Sequence, residues 1–158
     1  LTDVYWDEPD FLLIDMPPGT GDIALSLSQY LPRAEVLVVT TPQLAAQKVA
    51  RLSAAMAVKV NLPVRGIIEN MSWFIGEDKQ RYELFGSGGG QLLADELKVP
   101  LLAQIPLVEQ LREGGDTGQP IAAIAPQSEV GQIFAQLAKR IAEDMKPKKV
   151  FSAALKVN

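Results

Sequence analysis

The chain has 158 residues, 47% of them apolar and 22% charged, with 15 basic and 19 acidic side chains giving a net charge of −4. That balance fits one globular domain and argues against nucleic acid or an anionic membrane as the main partner. There is no Cys and no His, which removes disulfides, thiol nucleophiles, Ser–His catalysis, His-ligated zinc and Cys-ligated iron–sulfur clusters.

The first apolar run, Phe11-Leu12-Leu13-Ile14, reads as a strand ending in Asp15. Val36-Leu37-Val38-Val39 is a second, ending in Thr40-Thr41-Pro42. It is rich in β-branched residues and lacks alternation, as strands buried on both faces do. Ala45, Val49, Leu52 and Met56 then make an apolar helical stripe. Gly66-Ile67-Ile68 is a third strand, ending in Glu69-Asn70. Gly86-Ser87-Gly88-Gly89-Gly90 reads as a flexible lead-in to a helix over Gln91–Leu97. Leu101–Ile105 is a fourth strand, ending at Pro106. The clearest helix carries Val130, Ile133, Phe134, Leu137, Ala138, Ile141 and Met145, with Ser128 as its N-cap. Residues 1–145 form one domain on this reading, and 146–158 a basic, aperiodic tail expected to be disordered.

Strand and helix alternate, which predicts an α/β fold with a doubly wound, mostly parallel sheet and helices on both faces. Ligands of such sheets sit beyond the carboxyl ends of the strands. No run approaches the roughly 20 apolar residues of a membrane span. The start, Leu1-Thr2-Asp3-Val4, has neither the basic region of a signal peptide nor an initiating Met. The chain therefore reads as cytoplasmic and as part of a longer one.

The strand ends carry the chemistry. Asp15-Met16-Pro17-Pro18-Gly19-Thr20-Gly21-Asp22 follows an apolar strand. A carboxylate there can hold Mg²⁺ through water, as a Walker-B Asp does. Gly19, four residues on, has no Cβ and can approach a γ-phosphate closely. Pro17 and Pro18 stiffen the loop between them. A lone Asp is explained as a turn former; the whole octapeptide after a strand favours a phosphate site. Asn70 can pair bidentately with an adenine edge. A guanine site would carry Asp three residues later, where this chain has Trp73. No Gly-Lys dipeptide occurs, so the phosphate-loop signature is absent.

Asp-Met-Pro-Pro-Gly-Thr-Gly-Asp at 15–22, Thr-Thr-Pro-Gln at 40–43, Ile-Glu-Asn-Met-Ser at 68–72, Phe-Gly-Ser-Gly-Gly at 85–89, Ile-Pro-Leu at 105–107 and Leu-Arg-Glu-Gly-Gly-Asp at 111–116 occur in one order. In that order they resemble the Mrp/ApbC iron–sulfur cluster carrier ATPases, relatives of MinD and ParA, over about residues 3 to 144. The resemblance implies the carboxyl-terminal half of a deviant P-loop ATPase domain, whose phosphate-loop strand lies outside this chain. It implies Asp15 and Gly19 as the catalytic pair: Asp15 as the Mg²⁺-water carboxylate and Gly19 as the switch contact to the γ-phosphate. Pro17, Pro18, Gly19, Asn70 and Pro106 would line the ATP site, Asn70 and Pro106 at the adenine. It further implies ATP and Mg²⁺ as cofactors, a homodimer, and iron–sulfur apo-proteins as targets.

The family's Cys-x-x-Cys would fall near Gly76 and Lys79, and the segment Trp73–Lys79 has no Cys to hold a cluster. Glu77 and Asp78 are hard oxygen donors unsuited to one. Trp73 and Phe74 offer either a dimer surface or core packing. Two other functions compete with the carrier ATPase. One is a MinD/ParA-like positioning ATPase, which would need a membrane-seeking or DNA-binding surface. The other is a non-catalytic interaction module that keeps the fold. Without a triphosphate cradle, the chain alone is expected to have little activity and to self-associate through an open sheet edge.

Overall fold

The computed structural model describes residues 3–7, 9–17 and 21–145. Three of the four expected strands form one parallel sheet: β1 (Val36–Thr40), β2 (Val64–Glu69) and a later strand, Leu101–Gln104, called β5. The order is β1-β2-β5, with Val38 beside Ile67 and Glu69 beside Gln104. Between β2 and β5 the chain makes a small antiparallel hairpin, β3 (Phe74–Ile75) and β4 (Arg81–Tyr82), pairing Phe74 with Tyr82. The helices are α1 (Gly21–Tyr30), α2 (Leu44–Lys59), α3 (Gly89–Leu97), α4 (Glu109–Thr117), α5 (Ile121–Ile124) and α6 (Glu129–Asp144).

The sheet is covered on both faces, as expected. On one face Val38 and Ile67 meet Ala50 and Ala54 of α2 and Leu93 and Ala94 of α3. On the other, Ile68, Leu102 and Ile105 meet Ile121 of α5 and Val130 and Leu137 of α6. Alternation along each strand sends successive side chains to opposite layers. Gly66 lets β2 and β5 pack closely, since a Cβ there would come within 2.5 Å of Leu102 Cγ. Ser128 caps α6 as expected, its Oγ accepting from the Gly131 N–H at 3.1 Å. Arg140 of α6 donates to the Leu102 carbonyl of β5 at 2.6 Å, fastening helix to sheet. Arg51 and Glu96 make two parallel bonds, 2.6 and 2.7 Å, that tie α2 to α3.

Three sequence expectations change. Phe11–Ile14 forms no strand, and Leu13 is 80% exposed. A β-run becomes a strand only when a neighbour accepts its ladder, and no described hydrogen bond joins residues 9–17 to the sheet. In α2 the buried face is Gln47, Ala50, Ala54 and Ala57, not the stripe of larger side chains. Small alanines let the helix lie close on Val38 and Ile67, which turns Val49 and Leu52 outward, Leu52 to 72% exposure. The glycine stretch divides: Gly86 and Gly88 have open space around them, whereas Gly89 and Gly90 already belong to α3 and are buried against Gln47 and Glu69. The expected disordered tail, 146–158, lies outside the described residues.

Among the described residues β1 has a sheet neighbour on one side only, and Val39 on it is 59% exposed. An open edge flanked by apolar side chains is a pairing template. The 158-residue polypeptide should therefore show an apparent mass that climbs with concentration in multi-angle light scattering. Val39→Lys, which places a charge on that edge, should lower the climb. A concentration-independent monomer would contradict this reading of the edge.

Candidate functional site

The sheet's carboxyl edge gathers the ends of β1, β2 and β5. The Asn70 N–H donates to the Thr40 carbonyl at 2.7 Å, which binds the end of β2 to the end of β1. The Ile105 N–H donates to the Glu69 carbonyl at 2.8 Å, and the Ser72 N–H to the Ile105 carbonyl at 3.0 Å. The Ser72 hydroxyl also donates to the Glu69 carbonyl, at 2.9 Å. Main-chain bonds thus lock Thr40, Glu69–Ser72 and Gln104–Pro106 into one edge.

Asn70 sits at that edge, half-buried. Its Oδ1 accepts from the Met71 N–H at 2.9 Å, and Met71 holds a left-handed φ of 55°. This local bond fixes the amide's direction and leaves Nδ2 without a hydrogen bond among the described residues. Pro106 is fully buried, its ring packed inside the edge. Asp15 and Pro17 are exposed, in the segment that pairs with no strand. No described hydrogen bond or ion pair links Asp15 to Asn70 or Pro106. Pro18 and Gly19 lie outside the described residues. A Mg²⁺ that keeps most of its water and the nucleotide's phosphates needs only one or two carboxylates, so the chemistry of an exposed Asp15 fits that ion.

Sequence reasoning passed over Glu69. It is 1% exposed, with Oε2 accepting from the Gly90 N–H and Oε1 from Gln104 Nε2 at 2.7 Å. Gln47 is buried alongside, its Nε2 donating to the Pro42 carbonyl at 2.7 Å. A Cβ on Gly90 would lie 2.7 Å from Glu69 Cβ, so glycine is required where α3 begins. The available signal was a Glu ending an Ile-Ile run that expects burial, followed by glycines opening a helix.

The hairpin tip carries no thiol and is filled by its own turn. Gly76 to Lys79 is its tight turn, with the Lys79 N–H donating to the Gly76 carbonyl at 2.9 Å. A Cβ at 76 would come within 2.7 Å of Asp78 Oδ1 and 2.8 Å of Tyr82 Cε2. The Asp78 carboxylate is occupied by the Tyr82 hydroxyl at 2.6 Å and the Gln80 N–H at 3.0 Å. Trp73 lies half-buried beneath the Arg81 guanidinium, 4.3 Å from its ring centre, while Phe74 is exposed. No group of three His, Cys, Asp or Glu able to hold a metal occurs among the described residues. The residues present do not fit an iron–sulfur cluster.

Parallel strands with helices on both faces and a polar carboxyl edge define a doubly wound nucleotide-binding class. The family model described as ParA, NUBPL iron-transfer P-loop NTPase, matches residues 1–142, and the chain belongs to that family. An iron–sulfur cluster carrier protein of Mycobacterium leprae is 47% identical over 144 residues, covering 87% of this chain and 38% of its own. The chain thus spans well under half the length of that relative. Among solved structures, a nucleotide-binding protein of Archaeoglobus fulgidus in complex with ADP is 32% identical, with a TM-score of 0.64. That match covers 80% of this chain and 51% of the other. The cell division ATPase MinD of Pyrococcus furiosus is 26% identical, with a TM-score of 0.56, over 69% of this chain and 42% of its own.

The Tyr82 hydroxyl, and after it the Gln80 N–H, hold the Asp78 carboxyl below the usual carboxylate range, and the same bond pushes the Tyr82 phenol up. A depressed carboxyl pKa stabilises the fold above the ordinary range, and that contribution is lost as pH falls through the folded value. The hairpin turn should therefore loosen in acid. In an NMR titration Tyr82→Phe should move the Asp78 midpoint back up. An unmoved midpoint would sink the assignment of that bond.

Proposed function

We propose that this chain forms the adenine-reading and Mg²⁺-carboxylate part of an ATP-hydrolysing protein in the iron–sulfur cluster carrier group. The observation that carries the reading is the carboxyl edge, where main-chain bonds hold Asn70 between Thr40 and the Gln104–Pro106 strand end. Asn70 would read the adenine edge, with Pro106 forming the wall of the adenine pocket. Asp15 would hold Mg²⁺ through water, and that ion would neutralise charge on the phosphates. Gly19, with Pro17 and Pro18 stiffening its loop, would approach the γ-phosphate. Catalysis then rests on positioning and charge stabilisation, with water as the nucleophile. The ADP-bound Archaeoglobus relative supports the nucleotide, and the Mycobacterium leprae carrier supports the cellular role.

The working protein would be a cytoplasmic homodimer that serves apo-proteins awaiting a cluster. That cluster would be cargo, held by groups outside this chain, because no Cys is present here. The MinD-like alternative has weaker support. The residues that would give α6 a membrane-seeking face, Val130 and Leu137, are buried in the core. No helix among the described residues is long and apolar enough to cross a membrane.

The test is ATP hydrolysis with Mg²⁺ by the full-length protein, with iron content measured after anaerobic reconstitution. Asp15→Asn should lower kcat/KM by on the order of 10²-fold, the scale of losing one charge-stabilising group. Asn70→Ala should weaken ATP binding by about tenfold, the scale of one lost hydrogen bond. A protein that ignores both changes is a non-catalytic module. Hydrolysis without iron would keep the ATPase and remove the carrier role.

A further inference from the structure

Glu69 is the one charged side chain in the core among the described residues, and no cation pairs with it there. Burying an ionised carboxylate is costly unless it is fully hydrogen-bonded. Its partners come from two different elements. Oε2 takes the Gly90 N–H at 2.5 Å, at the N-terminus of α3, where the helix dipole favours an anion. Oε1 takes Gln104 Nε2 at 2.7 Å, at the end of β5. Only a carboxylate accepts at both terminal atoms; an amide of the same shape accepts at one and donates at the other. The residue's own carbonyl takes two more donors, Ile105 N–H and the Ser72 hydroxyl.

These bonds lie at the foot of the excursion that leaves the sheet at Asn70, makes the hairpin and returns at Gly89. They also join the two residues assigned to the base. Asn70 directly follows Glu69, and Pro106 directly follows Ile105, whose N–H is held by Glu69. We infer that Glu69 is a positioning residue for adenine recognition, fixing Asn70 and the Gln104–Pro106 strand end as one base-reading unit seated on α3. The inference rests on the adenine-nucleotide reading above. It assigns Glu69 no contact with the nucleotide.

The experiment compares MgATP with Mg-tripolyphosphate, which has the phosphates and no base, by calorimetry on the full-length protein. Wild type should bind ATP more tightly than tripolyphosphate. Glu69→Asp keeps the charge but is one methylene too short to reach both donors. It should weaken ATP by about tenfold, the scale of one hydrogen bond, and leave tripolyphosphate unchanged. Glu69→Gln should recover most of that loss, because the Gln104 amide can turn to offer its oxygen. Gln104→Ala removes only the tie to β5 and keeps the test open if Glu69→Asp does not fold. It should likewise lower ATP affinity alone. Equal losses for both ligands would indicate a merely structural role and overturn the inference, as would unchanged ATP binding in both variants. A wild-type protein with no preference for ATP would overturn the adenine reading itself, and the inference with it.

Discussion

The buried Glu69 carboxylate reaches the first turn of α3 on one side and the end of β5 on the other. Much of the functional edge depends on it. Gly90 has to be glycine because Glu69 occupies the space a side chain would need, and Gly89 is excluded from growing by Gln47 and Pro42. The two glycines let the helix N-terminus come close enough to donate to a carboxylate. Gln104 supplies the second donor that the carboxylate needs, and Gln47 caps the Pro42 carbonyl beside it. Such a network is stabilising only when every member is satisfied, and no buried side-chain polar atom lacks a partner among the described residues.

From that junction the site and the hairpin are organised together. The hairpin's foot is gripped by main-chain bonds from Ser72 to Ile105 and from Leu107 to Trp73. Its far end is closed by the Asp78–Tyr82 bond, and Arg81 lies back over Trp73 at the foot. The tip is therefore built from a carboxylate, a phenol and a glycine. The ion pairs among the described residues lie at the surface and are worth little each; the Arg51–Glu96 fork makes two bonds and binds two helices of one layer.

The apolar surface is arranged unevenly. One helix layer covers the sheet through alanines, and Val38 and Ile67 meet them closely. The larger side chains of α2 then face outward, together with Val39 on the open strand and the run around Leu13.

The amino-acid sequence by itself determined three strands of the sheet and their parallel character, the last helix with its N-cap at Ser128, and the strand-end residue Asn70. Each depends on neighbours a few residues away, and local periodicity carries that information. Tertiary structure decided the rest. Whether Phe11–Ile14 becomes a strand depends on a ladder partner, which composition does not encode. Which face of α2 turns inward depended on how closely it must approach β1 and β2, and that favoured alanines over the larger stripe. Glu69 looked like one more polar strand end until Gly90 and Gln104, 21 and 35 residues away, were brought to its two oxygens. A carboxylate's role is set by the donors around it, and those donors are distant in the chain.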